Sequence, residues 1–147
     1  MAFERIYTVW DHYDGPRSGI AAYLGQPHHY SCEWNKVADD YAEWFLLTPI
    51  DGEALALALE QWKIWREWER KFHRGEVLQS THPALPGQHP RYEELGVTLK
   101  AHIATLSGTR MRARARFRAQ AGQEKIVPGV MRELEVEWSD AETIAAP

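Results

Sequence analysis

The chain is 147 residues long, with 44% apolar and 26% charged side chains and a formal net charge of −4. This length suits one domain with a single substantial core, and the composition excludes wholesale disorder. The acidic balance disfavours a nucleic-acid partner, and no apolar run approaches the roughly 18 residues that a membrane-spanning helix needs.

Met1 to Arg5 carries no apolar stretch of the kind that forms a secretory leader, so a cytoplasmic protein is expected. Cys32 is the only cysteine. It can form neither an internal disulfide nor a cysteine-based metal knot, which fits a reducing compartment. Tryptophans stand at positions 10, 34, 44, 62, 65, 68 and 138. Each brings large apolar area and an N–H that needs a partner, so a tryptophan-rich core is the first expectation and an interface the second.

In chain order, Arg5 to Tyr13 reads as a strand, because Ile6, Tyr7, Thr8, Val9 and Trp10 are β-branched or aromatic. Asp14-Gly15-Pro16-Arg17-Ser18-Gly19 has turn chemistry and ends it. Ile20 to Tyr23 and Pro27 to Trp34 read as two more strands around a turn at Leu24-Gly25-Gln26, and Tyr41 to Ile50 as a buried fourth. Asp51 is a suitable N-cap for a helix from Gly52 to Arg74 that Gly75 closes. Its apolar and aromatic residues fill a broad arc, so this helix is expected at the centre of the core. A loop with Pro83 and Pro86 leads to a second helix from Pro90 to Leu106, with Tyr92, Leu95, Leu99, Ile103 and Leu106 on one face.

The most patterned stretch follows. Arginines at 110, 112, 114, 116 and 118 alternate with Met111, Ala113, Ala115 and Phe117, which on a strand places every guanidinium on one face. Glu133, Glu135 and Glu137 alternate with Leu134, Val136 and Trp138 in the complementary way. An antiparallel hairpin pairing Arg112 with Glu137, Arg114 with Glu135 and Arg116 with Glu133 satisfies both faces. Arg110 and Arg118 lie outside those pairs, which makes them the candidates for anion binding.

Asp11, His12, Tyr13, Asp14 and Arg17, with His28 from a neighbouring strand, would supply a carboxylate, an imidazole and an anion clamp. On a strand, however, Asp11 and Tyr13 face away from His12, and Asp14 is accounted for by the turn. The histidines have no zinc spacing, and no phosphate loop, dinucleotide fingerprint or serine elbow occurs, so neither metal nor cofactor is expected. Cys32 lies between Tyr30 and Trp34 and reads as a buried, inert thiol.

The run Asp11-His12-Tyr13-Asp14-Gly15-Pro16-Arg17-Ser18-Gly19-Ile20-Ala21, followed by Gly25-Gln26-Pro27-His28 and the Trp62 to Glu69 segment, resembles small uncharacterised bacterial proteins. The resemblance covers about the first 90 residues and brings no activity with it. The expected fold is α+β, in one domain over residues 1–147 with a frayed tail at 141–147. An N-terminal meander and a C-terminal hairpin form an antiparallel, twisted or barrel-like sheet against the tryptophan-rich helix and a second helix. The expected function is a non-catalytic binding or regulatory module with a protein or small-molecule partner. The rival is a small enzyme or small-ligand-binding protein whose polar site lies between the meander and the tryptophan-rich helix. The sequence leaves the oligomeric state open.

Overall fold

The computed structural model describes residues 2–122 and 129–144. Four strands come first, β1 (Glu4–His12), β2 (Pro16–Tyr23), β3 (Gln26–Asn35) and β4 (Asp40–Pro49). Two helices follow, α1 (Gly52–His73) and α2 (Pro90–Ala104), and then β5 (Met111–Ala119) and β6 (Leu134–Thr143). The six strands close in sequence order into an antiparallel barrel, with β6 returning to β1 through Glu4 opposite Val136 and Arg5 opposite Glu135. The protein is thus α+β, with a barrel-like sheet and two helices outside it. Residues 141–143, expected to fray, belong to β6, with Thr143 opposite Met111, while 145–147 lie outside the described residues.

Local chemistry explains the short connections. Leu24 and Gly25 both have positive φ, 50° and 76°, in the two-residue turn between β2 and β3. The carboxylate of Glu4 accepts hydrogen bonds from both of their backbone N–H groups, at 3.1 and 2.7 Å. Asp51 caps α1 by accepting from the Ala54 N–H at 2.8 Å. At the start of α2 the His89 Nδ1 accepts from the Tyr92 N–H, and Pro90 occupies the first turn, where its missing N–H costs nothing.

A six-stranded barrel is too narrow to hold a channel, so inward-facing side chains must fill it. Tyr30, Phe45 and Trp138 supply bulk, and Ala21 and Ala113 leave room for them. Trp138 meets Phe45 nearly edge-on with ring centroids 5.7 Å apart, and its indole N–H donates to the Ala22 carbonyl at 2.9 Å. A second cluster lies on the outer wall, where Ile20 and Ile50 meet Ala54 and Ala58 of α1 and Leu99 of α2.

The position of α1 corrects the expectation from its apolar arc. Only Ala54, Ala58, Arg66 and Glu69 of this helix are buried, while Trp62, Trp65 and Trp68 are half-buried. The core is the barrel interior. Small residues let α1 approach the wall closely, and the wider aromatic part of the arc is left partly open to solvent.

The C-terminal hairpin forms as expected, but in another register. Glu137 faces Arg116 rather than Arg112, and Glu135 faces Arg118 rather than Arg114. The displacement is even, so each side chain keeps its face. Glu133 is drawn to a partner that sequence alternation does not reveal, with its carboxylate 3.0 Å from Arg66 of α1.

Candidate functional site

Of the polar residues selected from the sequence, Asp11, Tyr13, Asp14 and Arg17 gather at the β1–β2 turn, whereas His12 and His28 lie apart from that group. Asp11 accepts from the Ser18 hydroxyl at 2.8 Å. Asp14, at φ 53°, is part of the tight turn in which the Tyr13 N–H bonds the Gly15 carbonyl. Arg17 closes the same turn by donating to the Tyr13 carbonyl at 2.7 Å, with its guanidinium 4.6 Å from the centre of the Tyr41 ring. Tyr13 is exposed beside Tyr41. His28 is buried, with Nδ1 2.8 Å from the Gln26 carbonyl and its ring edge-on to Tyr23. The polar groups of the β1–β2 turn thus serve its own folding, although Asp14 and Arg17 also line a hollow of about 490 Å³ with Glu43, Arg114 and Ser139.

Cys32 is buried, with Sγ 3.3 Å from the Ala42 carbonyl. Burial pushes its pKa up even though Arg17 stands beside it, which keeps the sulfur a thiol and not a nucleophilic thiolate.

The arginine face is also largely committed. Arg118, expected to be outside the ladder, bonds Glu135 at 2.5 Å, and Arg116 bonds Glu137 at 3.1 Å. Arg112 takes Glu33 across β4 and Arg114 reaches Glu43, while both guanidinium groups also lie over Trp44. Arg110 differs. It precedes β5, and it makes no ion pair among the described residues.

What the fold does build is a set of hollows between the barrel wall and the two helices. The first, about 520 Å³, lies between Trp10 and His29 of the wall, Gln61 of α1, and Tyr92, Leu99 and Ile103 of α2. A second of about 360 Å³ shares Trp10, Gln61 and Tyr92 with it and adds Trp62, Trp65 and His12. A third of about 660 Å³ shares His12 and Trp65 with the second and adds Trp68, Phe72 and Arg132. A fourth of about 560 Å³ shares His29 and Ile103 with the first and adds Ser31, Thr48 and Arg110. Each lies in the size range of small-ligand sites. Of the residues selected from sequence, His12 and Arg110 are placed in these hollows.

Sequence reasoning missed Trp10, His29, Gln61, Tyr92 and Lys100 as a group, because they come from four elements with no shared motif. One signal was present. Gly96 breaks a helical pattern without ending the helix, and a Cβ there would stand 3.1 Å from the Gln61 Nε2, so glycine lets α2 approach α1. Burial lowers the pKa of His29, which keeps its imidazole neutral in the wall of the first hollow.

Below the third hollow a buried ionic clasp fixes α1. Arg66 bonds Glu69 at 2.5 Å and Glu133 at 3.0 Å, while the other Glu69 oxygen accepts from the Met131 N–H at 3.0 Å. Among the described residues no group of three or more histidine, cysteine or carboxylate side chains is arranged to hold a metal ion. Among them, too, no helix is long and apolar enough to cross a membrane. No protein-family model, curated protein or solved structure matches the chain.

Proposed function

We propose that the protein is a non-catalytic binding module of a bacterial-type cytoplasmic protein, and that its binding face is the row of hollows between the barrel and the helical pair. The observation that carries this reading is where the tryptophans lie. Trp10, Trp62 and Trp65 are left half-buried around adjoining hollows, although Trp62 also packs against the barrel cluster and Trp10 against the outer-wall cluster. Aromatic side chains held by rigid elements provide contact area at low entropic cost, which suits recognition. Asp11 and Arg17 are engaged in bonds within the β1–β2 turn and His28 stands apart from them, which supports a role without catalysis. The pairing of four arginines with carboxylates supports a partner other than nucleic acid.

A test uses Ala84 and Ala104, which are exposed residues on the rims of the second and first hollows. Small apolar compounds should raise the melting temperature of the native protein. Ala84→Trp and Ala104→Trp, which fill the hollows, should suppress those shifts. Shifts that persist unchanged in both variants would place binding elsewhere.

One observation favours the rival reading of a small enzyme. His12 and His82 line the same second hollow, where an imidazole pair would serve proton transfer. Under the binding reading, His12→Ala and His82→Ala leave ligand-induced shifts in place. Under the rival, they abolish a turnover that the native protein shows.

A further inference from the structure

We infer that the first hollow takes an amphipathic carboxylate, a molecule with an apolar body of ring or short-chain size and one anionic head, and that Lys100 receives the head. This rests on the binding reading above and names the ligand class for one of its hollows.

The chain carries 21 acidic residues against 17 lysines and arginines. Yet neither the first hollow nor the fourth, which adjoins it at His29 and Ile103, is lined by an aspartate or glutamate. Each has one formal cation, Lys100 in the first and Arg110 in the fourth. Neither forms an ion pair among the described residues, as is also true of Arg5, Arg17, Lys36, Lys63, Arg70, Lys71 and Arg132; what sets these two apart is that each lines a hollow without an acid. The residues one helical turn from Lys100 are Gly96, Val97, Ile103 and Ala104, so α2 itself offers no carboxylate. Each cation thus stands at its own acid-free hollow in an acidic protein, and clefts lined by one sign of charge concentrate the opposite charge.

The rest of the lining sets the body of the ligand. Trp10, Leu99 and Ile103 give apolar walls, and His29, held neutral by burial, adds no charge of its own, which leaves Lys100 as the cation of this hollow. Three of the four carbonyls at the end of α2 are already bonded. Ala101 and His102 accept from Thr105, and Ile103 accepts from the Leu106 N–H. Lys100 is exposed on the rim, so its ammonium can meet a head group while the stem lies along the apolar wall.

The test compares cinnamate with cinnamamide, which has the same body and no charge, by isothermal titration calorimetry on the full chain. The native protein should bind the acid more tightly than the amide by roughly tenfold, the factor one charge-assisted hydrogen bond supplies. Lys100→Met should remove that preference and leave amide binding unchanged. Arg110→Met should reduce the preference in part. Raising the salt concentration should weaken the acid alone. Equal binding of both compounds, blocked by Ala104→Trp, would overturn the anion preference while leaving the binding-module reading intact. Absence of binding by either compound would overturn the assignment of this ligand class, and the apolar-compound screen then decides the broader reading. Retention of the full preference in the Lys100→Met, Arg110→Met double variant would also contradict the inference.

Discussion

The phenol of Tyr30 donates a hydrogen bond to the backbone carbonyl of Thr8 at 2.8 Å inside the barrel. That carbonyl is free because β1 is irregular here: the Ile20 N–H bonds the Thr8 side-chain hydroxyl instead, at 2.9 Å. Gly19 makes the arrangement fit. Its φ is 152°, and a Cβ there would lie 2.1 Å from the Thr8 oxygen and 2.8 Å from the Tyr30 hydroxyl. Gly19→Ala should therefore cost about 3 kcal/mol or more in urea melts, from clash and backbone strain together. Tyr30→Phe should cost about 1–3 kcal/mol by leaving the carbonyl unpaired. A Gly19→Ala protein with native stability would show that the bulge is not packed as described.

The same tyrosine gives a pH signature. Burial, with Asp11 as a smaller contributor, raises the Tyr30 pKa above its ordinary value of 10.0. The folded state thus favours the neutral phenol. This contribution is complete below pH 10 and is lost as pH rises beyond it, by up to about 1.4 kcal/mol per pH unit. Alkaline melts should show a flatter stability profile for Tyr30→Phe than for the native protein, with a residual slope from Tyr92, which burial also raises. His29 acts at the other end. Burial lowers its pKa, so its contribution is present above pH 6.5 and is lost as pH falls through the folded value.

The clasp between Arg66, Glu69 and Glu133 should be sensitive to single substitutions and tolerant of paired ones. Glu69→Leu leaves Arg66, only 5% exposed, without its buried partner and removes the acceptor for Met131. The expected cost is about 3–5 kcal/mol. The double variant Arg66→Met, Glu69→Leu should recover much of it, since apolar groups of similar volume can replace a buried pair. Denaturant melts of the two singles and the double measure this directly, and simple additivity of the losses would refute it.

The strand register can be checked by double-mutant cycles. Arg118→Ala with Glu135→Ala should show coupling of about 0.2–1 kcal/mol, and Arg114→Ala with Glu135→Ala should show none. Coupling of position 135 to 114 instead would restore the pairing that sequence alternation suggests.

The difference between those registers shows which information is local. Alternation along residues 110–118 and 133–137 determines which face each side chain takes, because the period of a strand is two. It does not determine how far one strand slides along the other, because an even slide leaves the arginines and glutamates on the same face. Barrel closure against β1 and the attraction of Glu133 to Arg66 select the register, and both are long-range. The six strands and two helices were legible for the same local reason: Asp51, Gly25, Pro90 and the apolar runs act on their immediate neighbours. The arc of α1 was misread as core because periodicity counts apolar residues without revealing what covers them. The hollows were illegible, since Trp10, His29, Gln61, Tyr92 and Lys100 meet only through tertiary packing. Two of the residues selected for chemistry, His12 and Arg110, reach those hollows, whereas Asp11 and Asp14 serve the β1–β2 turn and Arg17 bonds that turn and lies over Tyr41.

Entry of ligands between the barrel wall and the helical pair is what the binding reading requires. Its most direct test is an amide-resolved nuclear magnetic resonance titration of the isotope-labelled protein with cinnamate. The expected result is saturable shifts at the backbone amides of Gly96, Lys100 and Ala104 and at the indole N–H of Trp10, with the Tyr13 to Arg17 amides unmoved. Shifts confined to the Asp11–Arg17 turn or to the Arg114–Arg118 face, with the α2 amides silent, would contradict the account.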